Sequence, residues 1–163
     1  MIIVLMGVSG AGKTTIGRLL AEQLGWTFYD ADDFHPPANV EKMRRGEPLT
    51  DDDRAPWLGR LGEFLRTLLE AGSNAVLACS ALKSAYREHL LIDEQVRLVY
   101  LKGDYSTIED RLSKRQDHFM NASLLKSQFA ALEEPEGAIT VDVAACPADI
   151  VQSIRESLPI VAE

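Results

Sequence analysis

The sequence predicts an α/β fold built on a parallel sheet covered by helices on both faces. Two observations carry this. Short runs that are apolar throughout alternate with stretches of helical periodicity, the rhythm of successive βαβ units. A glycine-rich loop also joins the first apolar run to the first helical stretch, where ligands of such sheets gather, at the carboxyl ends of strands.

Five strands are expected: Ile2–Met6, Thr27–Tyr29, Ala75–Cys79, Val96–Leu101 and Ile139–Val143. Each is short and partly β-branched, and they are often apolar throughout, as strands buried on both faces are. Helices fill the intervals. Ile16, Leu19, Leu20 and Leu24 form one face, stopped by Gly25. Trp57, Leu58, Leu61, Phe64, Leu65 and Leu68 form a second, ending near Gly72. Ile108 and Leu112 mark a third after Asp104. Leu124, Leu125, Phe129 and Leu132 mark a fourth stopped by Pro135, and Ile150, Val151 and Ile154 face inward on the last. Trp26, Trp57 and Tyr100 read as core or subunit contacts.

The 163 residues suit one domain, 1–163, with one core, and a 46% hydrophobic fraction suits a globular chain. A net charge of −8 argues against a nucleic-acid partner, which needs a basic face. The apolar start "MIIVLMG" lacks a basic n-region and no run approaches the roughly 20 apolar residues of a spanning helix, so no membrane partner is expected. Cys79 and Cys146 stand in no metal-type spacing, which fits a reducing, cytoplasmic location.

The segment "GVSGAGKTT" matches G-x-x-x-x-G-K-[ST] between a strand and a helix. Its residues Gly7, Val8, Ser9, Gly10, Ala11, Gly12, Lys13, Thr14 and Thr15 are expected to bind a nucleotide. Glycines let backbone N–H groups wrap a polyphosphate, and the helix N-terminus adds its dipole. Lys13 is placed to reach the β- and γ-phosphates, and the Thr14 hydroxyl to ligate Mg²⁺.

"FYDADDFHPP" follows the second strand at the same sheet edge. In an extended segment Asp30 and Asp32 point the same way. One carboxylate can then face a metal through its water shell while the other accepts the proton of an attacking hydroxyl. Asp33 is the better candidate for capping a short helix near Pro36. A protein-built metal cage is the weaker rival, because nucleotide-bound Mg²⁺ keeps its waters and takes few carboxylates.

Cations follow the other strands. Arg54 either faces inward or pairs with Asp51, Asp52 and Asp53, acids that suit a helix start. Lys83 and Arg87 are spaced i, i+4 on one helical face, and either grip an anionic acceptor or form ordinary ion pairs. Arg111 and Arg115 share that spacing and lead into a helical excursion at about 113–135. If it is a lid, its arginines stabilise transferred charge; otherwise they form a solvated face. His118 and Phe119 suit core packing and lid contacts equally. From the residues alone, the chain reads as a kinase of a small anionic molecule. A nucleotide-dependent switch is the rival from another class, but no N-K-x-D guanine motif occurs.

These motifs together, with "DADDFHPPANVEKMRRGEPLTDDDRAPWL", "CSALKSAYR" and "YLKGDYSTIEDRLSKRQDHFMNASLLKSQFAALEEP", resemble the gluconokinase family over nearly the whole chain. The resemblance implies a P-loop kinase of the nucleoside monophosphate kinase type. It has a five-stranded parallel sheet of order 2-3-1-4-5 flanked by helices, and a helical lid. It also implies ATP and Mg²⁺, D-gluconate as the acceptor of the γ-phosphate at its 6-hydroxyl, and a homodimer. The D-x-D pair is similar to that of shikimate kinases, which leaves another hydroxy acid such as shikimate as the alternative acceptor. By that likeness Asp30 stands at the metal through water, Asp32 meets the substrate hydroxyls, and Arg54 holds the acceptor carboxylate. His35 is a sugar-acid contact on the resemblance alone, Lys13, Asp32, Arg111 and Arg115 are the catalytic set, and Lys83 and Arg87 complete the acceptor site. The loop near Pro147 is a place for the adenine.

Overall fold

A computed structural model describes residues 1–115 and 122–159. Five parallel strands, β1 (Ile2–Met6), β2 (Thr27–Asp30), β3 (Ala75–Ala78), β4 (Val96–Lys102) and β5 (Ile139–Asp142), form one sheet of order β2-β3-β1-β4-β5. This is the expected order. The strand ends differ from expectation by one residue: β2 and β4 run one further, and β3 and β5 stop one short. The helices are α1 (Lys13–Leu24), α2 (Pro37–Arg44), α3 (Asp51–Glu70), α4 (Ser84–Arg87), α5 (Tyr105–Ser113), α6 (Ala122–Ala131) and α7 (Pro147–Ser157).

Alternation along β1 divides the core. Ile3 and Leu5 face one layer, where Ile16, Leu20, Ile108, Ile150, Val151 and Ile154 pack. Ile2, Val4 and Met6 face the other, against Trp57, Leu58, Leu61 and Leu65 of α3. Every side chain of β1 is fully buried, which explains why it reads as a continuous apolar run. Each large apolar side chain removed from water contributes about 1.5–3 kcal/mol, so α3, with four buried in two turns, is anchored chiefly by that stripe. Its start is set by a capping box: Thr50 Oγ1 accepts from Asp53 N at 3.1 Å, and Asp53 Oδ2 accepts from Thr50 N at 2.9 Å.

Two stretches depart from the sequence reading. Asp30 and Asp32 are not alternate residues of one extended segment. Asp30 ends β2 and caps a 3-10 turn, Ala31–Phe34, by accepting from Asp32 N at 3.0 Å. Asp33 is exposed and caps nothing: α2 begins after Pro36 with no side-chain cap. Proline at the helix start needs none, since its missing N–H is one the helix would leave unpaired. Among the described residues no helix is long and apolar enough to cross a membrane.

Candidate active site

The carboxyl ends of β1, β2 and β3 open into a cavity of about 410 Å³. Its lining includes Lys13, Thr14, Thr15, Asp30, Asp32 and His35, together with Arg54, Lys83 and Arg115.

The loop from Gly7 to Gly12 forms the phosphate cradle. Gly10 and Gly12 have φ of 83° and 92°, a left-handed backbone that favours glycine. A Cβ on Gly10 would also lie 2.9 Å from the Leu112 side chain, so the loop packs tightly on α5. Lys13 begins α1 and folds back, donating from Nζ to the carbonyl oxygens of Gly7 and Val8 at 2.9 Å each. Desolvation lowers the pKa of its ammonium, while the nearby Asp32 carboxylate works against that fall. Thr14 Oγ1 donates to Asp30 Oδ2 at 3.1 Å. A hydroxyl and a carboxylate paired at a helix N-terminus suit a hydrated Mg²⁺, with Thr14 direct and Asp30 through water. Among the described residues, no cluster of three or more His, Cys, Asp or Glu side chains could cage a metal.

Asp32 projects into the cavity with its side chain 76% exposed. The surrounding walls raise its pKa, and the Asp30 carboxylate adds to the rise. His35 Nε2 lies 3.8 Å from Asp32 Oδ1. Arg54 Nη1 donates to Leu49 O at 2.7 Å and to Tyr86 Oη at 3.2 Å, with its guanidinium over the Tyr86 ring. Lys83 Nζ donates to Asp51 Oδ1 at 3.4 Å, and the Tyr86 hydroxyl donates to the same oxygen. Arg54 Nη1 is 3.9 Å from it. Two cations of the cavity wall, Arg54 and Lys83, and the Tyr86 phenol thus converge on the Asp51 carboxylate beside it, and the two cations are suited to carboxylate recognition.

Two expected pairs separate, because helices begin and end where i, i+4 spacing would need them to continue. α4 starts at Ser84, so Lys83 is an extended N-cap residue at the cavity, while Arg87 turns under the loop. Arg87 is 7% exposed and donates from Nη1 to Ala81 O at 2.9 Å and Leu82 O at 3.1 Å. Ala81 itself has φ 47°, a strained backbone for a residue with a Cβ. The structure therefore gives Arg87 a loop to hold and does not place it on the cavity wall. Arg87→Leu is expected to lower stability by about 2–3 kcal/mol, since two buried carbonyls lose their donor. Urea unfolding reads this as a lower midpoint at unchanged slope. Unchanged stability with a tenfold rise in acceptor KM would restore Arg87 to the site.

α5 ends at Ser113, so Arg111 and Arg115 do not share a helical face. Arg111 donates to the Val143 carbonyl beyond β5 and is absent from the cavity wall; Arg115 is on it. Pro147, at the start of α7, is not on that wall either. His118 and Phe119 lie outside the described residues, as does part of the expected lid.

Three contributors escaped the sequence reading. Gln128 of α6 accepts at Oε1 from Ser9 N at 2.7 Å, an amide oxygen set where a phosphate oxygen would be expected. Tyr86 braces Arg54. Asn39 of α2 touches His35. Gln128 and Tyr86 lie far along the chain from their partners, whereas Asn39 is only four residues from His35 and 14 from Asp53.

The family described as Shikimate kinase matches residues 9–150. A gluconokinase of Gluconobacter oxydans (strain 621H) is 54% identical over 134 residues, covering 82% of this chain and 75% of the relative. Among solved structures, an unliganded sugar kinase of Janibacter sp. HTCC2649 superposes with TM-score 0.90 at 43% identity, covering 95% of this chain and 92% of that one. A gluconokinase of Sinorhizobium meliloti 1021 gives TM-score 0.80 at 43% identity, covering 93% and 87%.

Proposed function

The chain belongs to the gluconokinase family, and we propose that it transfers the γ-phosphate of ATP to the 6-hydroxyl of D-gluconate, giving 6-phospho-D-gluconate and ADP. The observation that carries this reading is one cavity lined by a phosphate cradle, by the Asp32 carboxylate and by two cations, Arg54 and Lys83, suited to an acceptor carboxylate.

Lys13 and the backbone N–H groups of the glycine-rich loop bind the polyphosphate. Lys13 exchanges its two carbonyl partners for phosphate oxygens, and Gln128 leaves Ser9 N free when a phosphate takes its place. Thr14, with Asp30 through water, would hold Mg²⁺, which when bound neutralises charge on the phosphates. Arg54 and Lys83 orient the gluconate carboxylate, His35 contacts its hydroxyls, and Asp32 accepts the proton of the attacking 6-hydroxyl. Arg115 faces the transferred group. Positioning and electrostatic stabilisation account for most catalysis of this type. A homodimer in the cytoplasm belongs to the same proposal, and light scattering after size-exclusion chromatography reads the dimer.

The deciding assay offers the protein ATP and Mg²⁺ with D-gluconate, shikimate or other sugar acids, and follows ADP. Gluconate is expected to raise turnover far above the ATP-only background and above shikimate. Turnover with shikimate and none with gluconate would transfer the reading to the sister acceptor.

A further inference from the structure

Asn39 is a polar side chain only 4% exposed, in a position that touches no catalytic group directly. Its Nδ2 donates to the Asp53 carbonyl oxygen at 2.9 Å. A backbone carbonyl only accepts, so this bond fixes which end of the amide faces α3. The same Nδ2 lies 3.2 Å from His35 Nδ1. An amide nitrogen only donates, so Nδ1 must be the lone-pair nitrogen and the ring proton must sit on Nε2. The ring plane is set by stacking on Trp57, with centroids 4.1 Å apart and planes 15° apart, and Trp57 is held in turn by its Nε1–H to Ala31 O at 2.7 Å; within that plane the Asn39 contact selects the orientation. Nε2 then points its proton toward Asp32 Oδ1, 3.8 Å away.

We propose that Asn39 is a positioning residue that locks His35 as the Nε2–H tautomer, making His35 a fixed donor to an acceptor hydroxyl and excluding it as a base. The donor stands beside the Asp32 acceptor, and one hydroxyl can serve both by donating to the carboxylate and accepting from the ring. That hydroxyl is a neighbour of the nucleophile, because a bond donated to the attacking oxygen would draw on the electron pair it needs. Burial, with the Arg54 charge adding, pulls the His35 pKa down to about 4, opposed only by Asp30, so the ring is neutral at physiological pH. The recognised chemistry is a polyhydroxy acid, and this inference rests on the acceptor-site reading above.

The first test needs no substrate. In the full-length ¹⁵N-labelled protein, long-range ¹H–¹⁵N correlation of the imidazoles, assigned by loss of signals in His35→Asn, should show His35 as a single Nε2–H tautomer. An Nδ1–H tautomer, an averaged mixture or an imidazolium at neutral pH overturns the lock. The second is a double-mutant cycle with D-gluconate. Asn39→Ala should shift His35 to mixed tautomers and raise gluconate KM about tenfold with ATP KM unchanged. In a His35→Ala background it should add less than about twofold. An equal loss in both backgrounds would make Asn39 merely structural and overturn the proposal. Should Asn39→Ala fail to fold, the unsubstituted protein's spectrum decides alone. Absence of gluconate turnover in that protein would defeat the acceptor assignment while leaving the tautomer result standing, so the two failures are distinguishable.

Discussion

Asp32→Asn is expected to lower kcat with gluconate by about 10²-fold or more, the order for removing a positioned base, with little change in ATP KM. The substitution keeps the size of the side chain and removes its charge. The surroundings make the charge matter. Asp32 is held by its backbone, since its N–H is bonded to Asp30, while its carboxylate reaches freely into the cavity. Enclosure and the Asp30 charge push its pKa upward, with Lys13 opposing. A raised pKa makes a carboxylate a better proton acceptor, provided it stays ionised at working pH. Folding is a separable question here. Two like charges, Asp30 and Asp32, lie on one turn, so replacing one should leave the thermal midpoint unchanged or higher. A kcat within threefold of the parent protein, at equal stability, would remove Asp32 from proton transfer.

The middle of the sheet was legible because strands buried on both faces carry no polar alternation, and Ile2–Met6 or Ala75–Ala78 can be little else at that length. The cradle was legible because its chemistry is local, with Gly10, Gly12, Lys13 and Thr14 acting from within one short segment. The far wall was less so. Lys83 and Arg87, and likewise Arg111 and Arg115, were paired by helical spacing, yet α4 begins one residue after Lys83 and α5 ends two residues before Arg115. An error of one or two residues at a helix end turns a side chain through a large angle, and helix ends are the boundaries that pattern reads least well. Asp33 was assigned a cap that proline made unnecessary. Tyr86 and Gln128 acquire their roles only through distant partners, Arg54 and Ser9, and Asn39 acquires its full role only once α3 brings the Asp53 carbonyl to it.

Lys13→Met should produce the other large loss, about 10²–10³-fold in kcat, the scale for removing one preorganised charge donor from a developing anion. ATP KM should rise more than gluconate KM, because the lost ammonium faces the nucleotide side of the cavity. Methionine matches the unbranched length of the lysine stem and removes only the charged head. That head has a second role at rest: it bonds the carbonyls of Gly7 and Val8, which otherwise turn into the cradle. Its loss should therefore also lower stability, by about 1 kcal/mol, and the two effects can be read apart. Lys13→Arg restores a donor for the loop carbonyls, but a planar fork does not reproduce a point charge aimed at a transferring phosphate, so it should recover stability more fully than turnover. Desolvation already weakens the hold on the Lys13 proton, and the Asp32 carboxylate opposes that. The charge on Lys13 and the charge on Asp32 thus support one another, and Lys13→Met combined with Asp32→Asn should lose less than the product of the separate losses. Strict multiplication would mean that the base and the phosphate-binding cation act independently. A Lys13→Met protein that is destabilised yet turns over within threefold of the parent would confine the lysine to holding its loop.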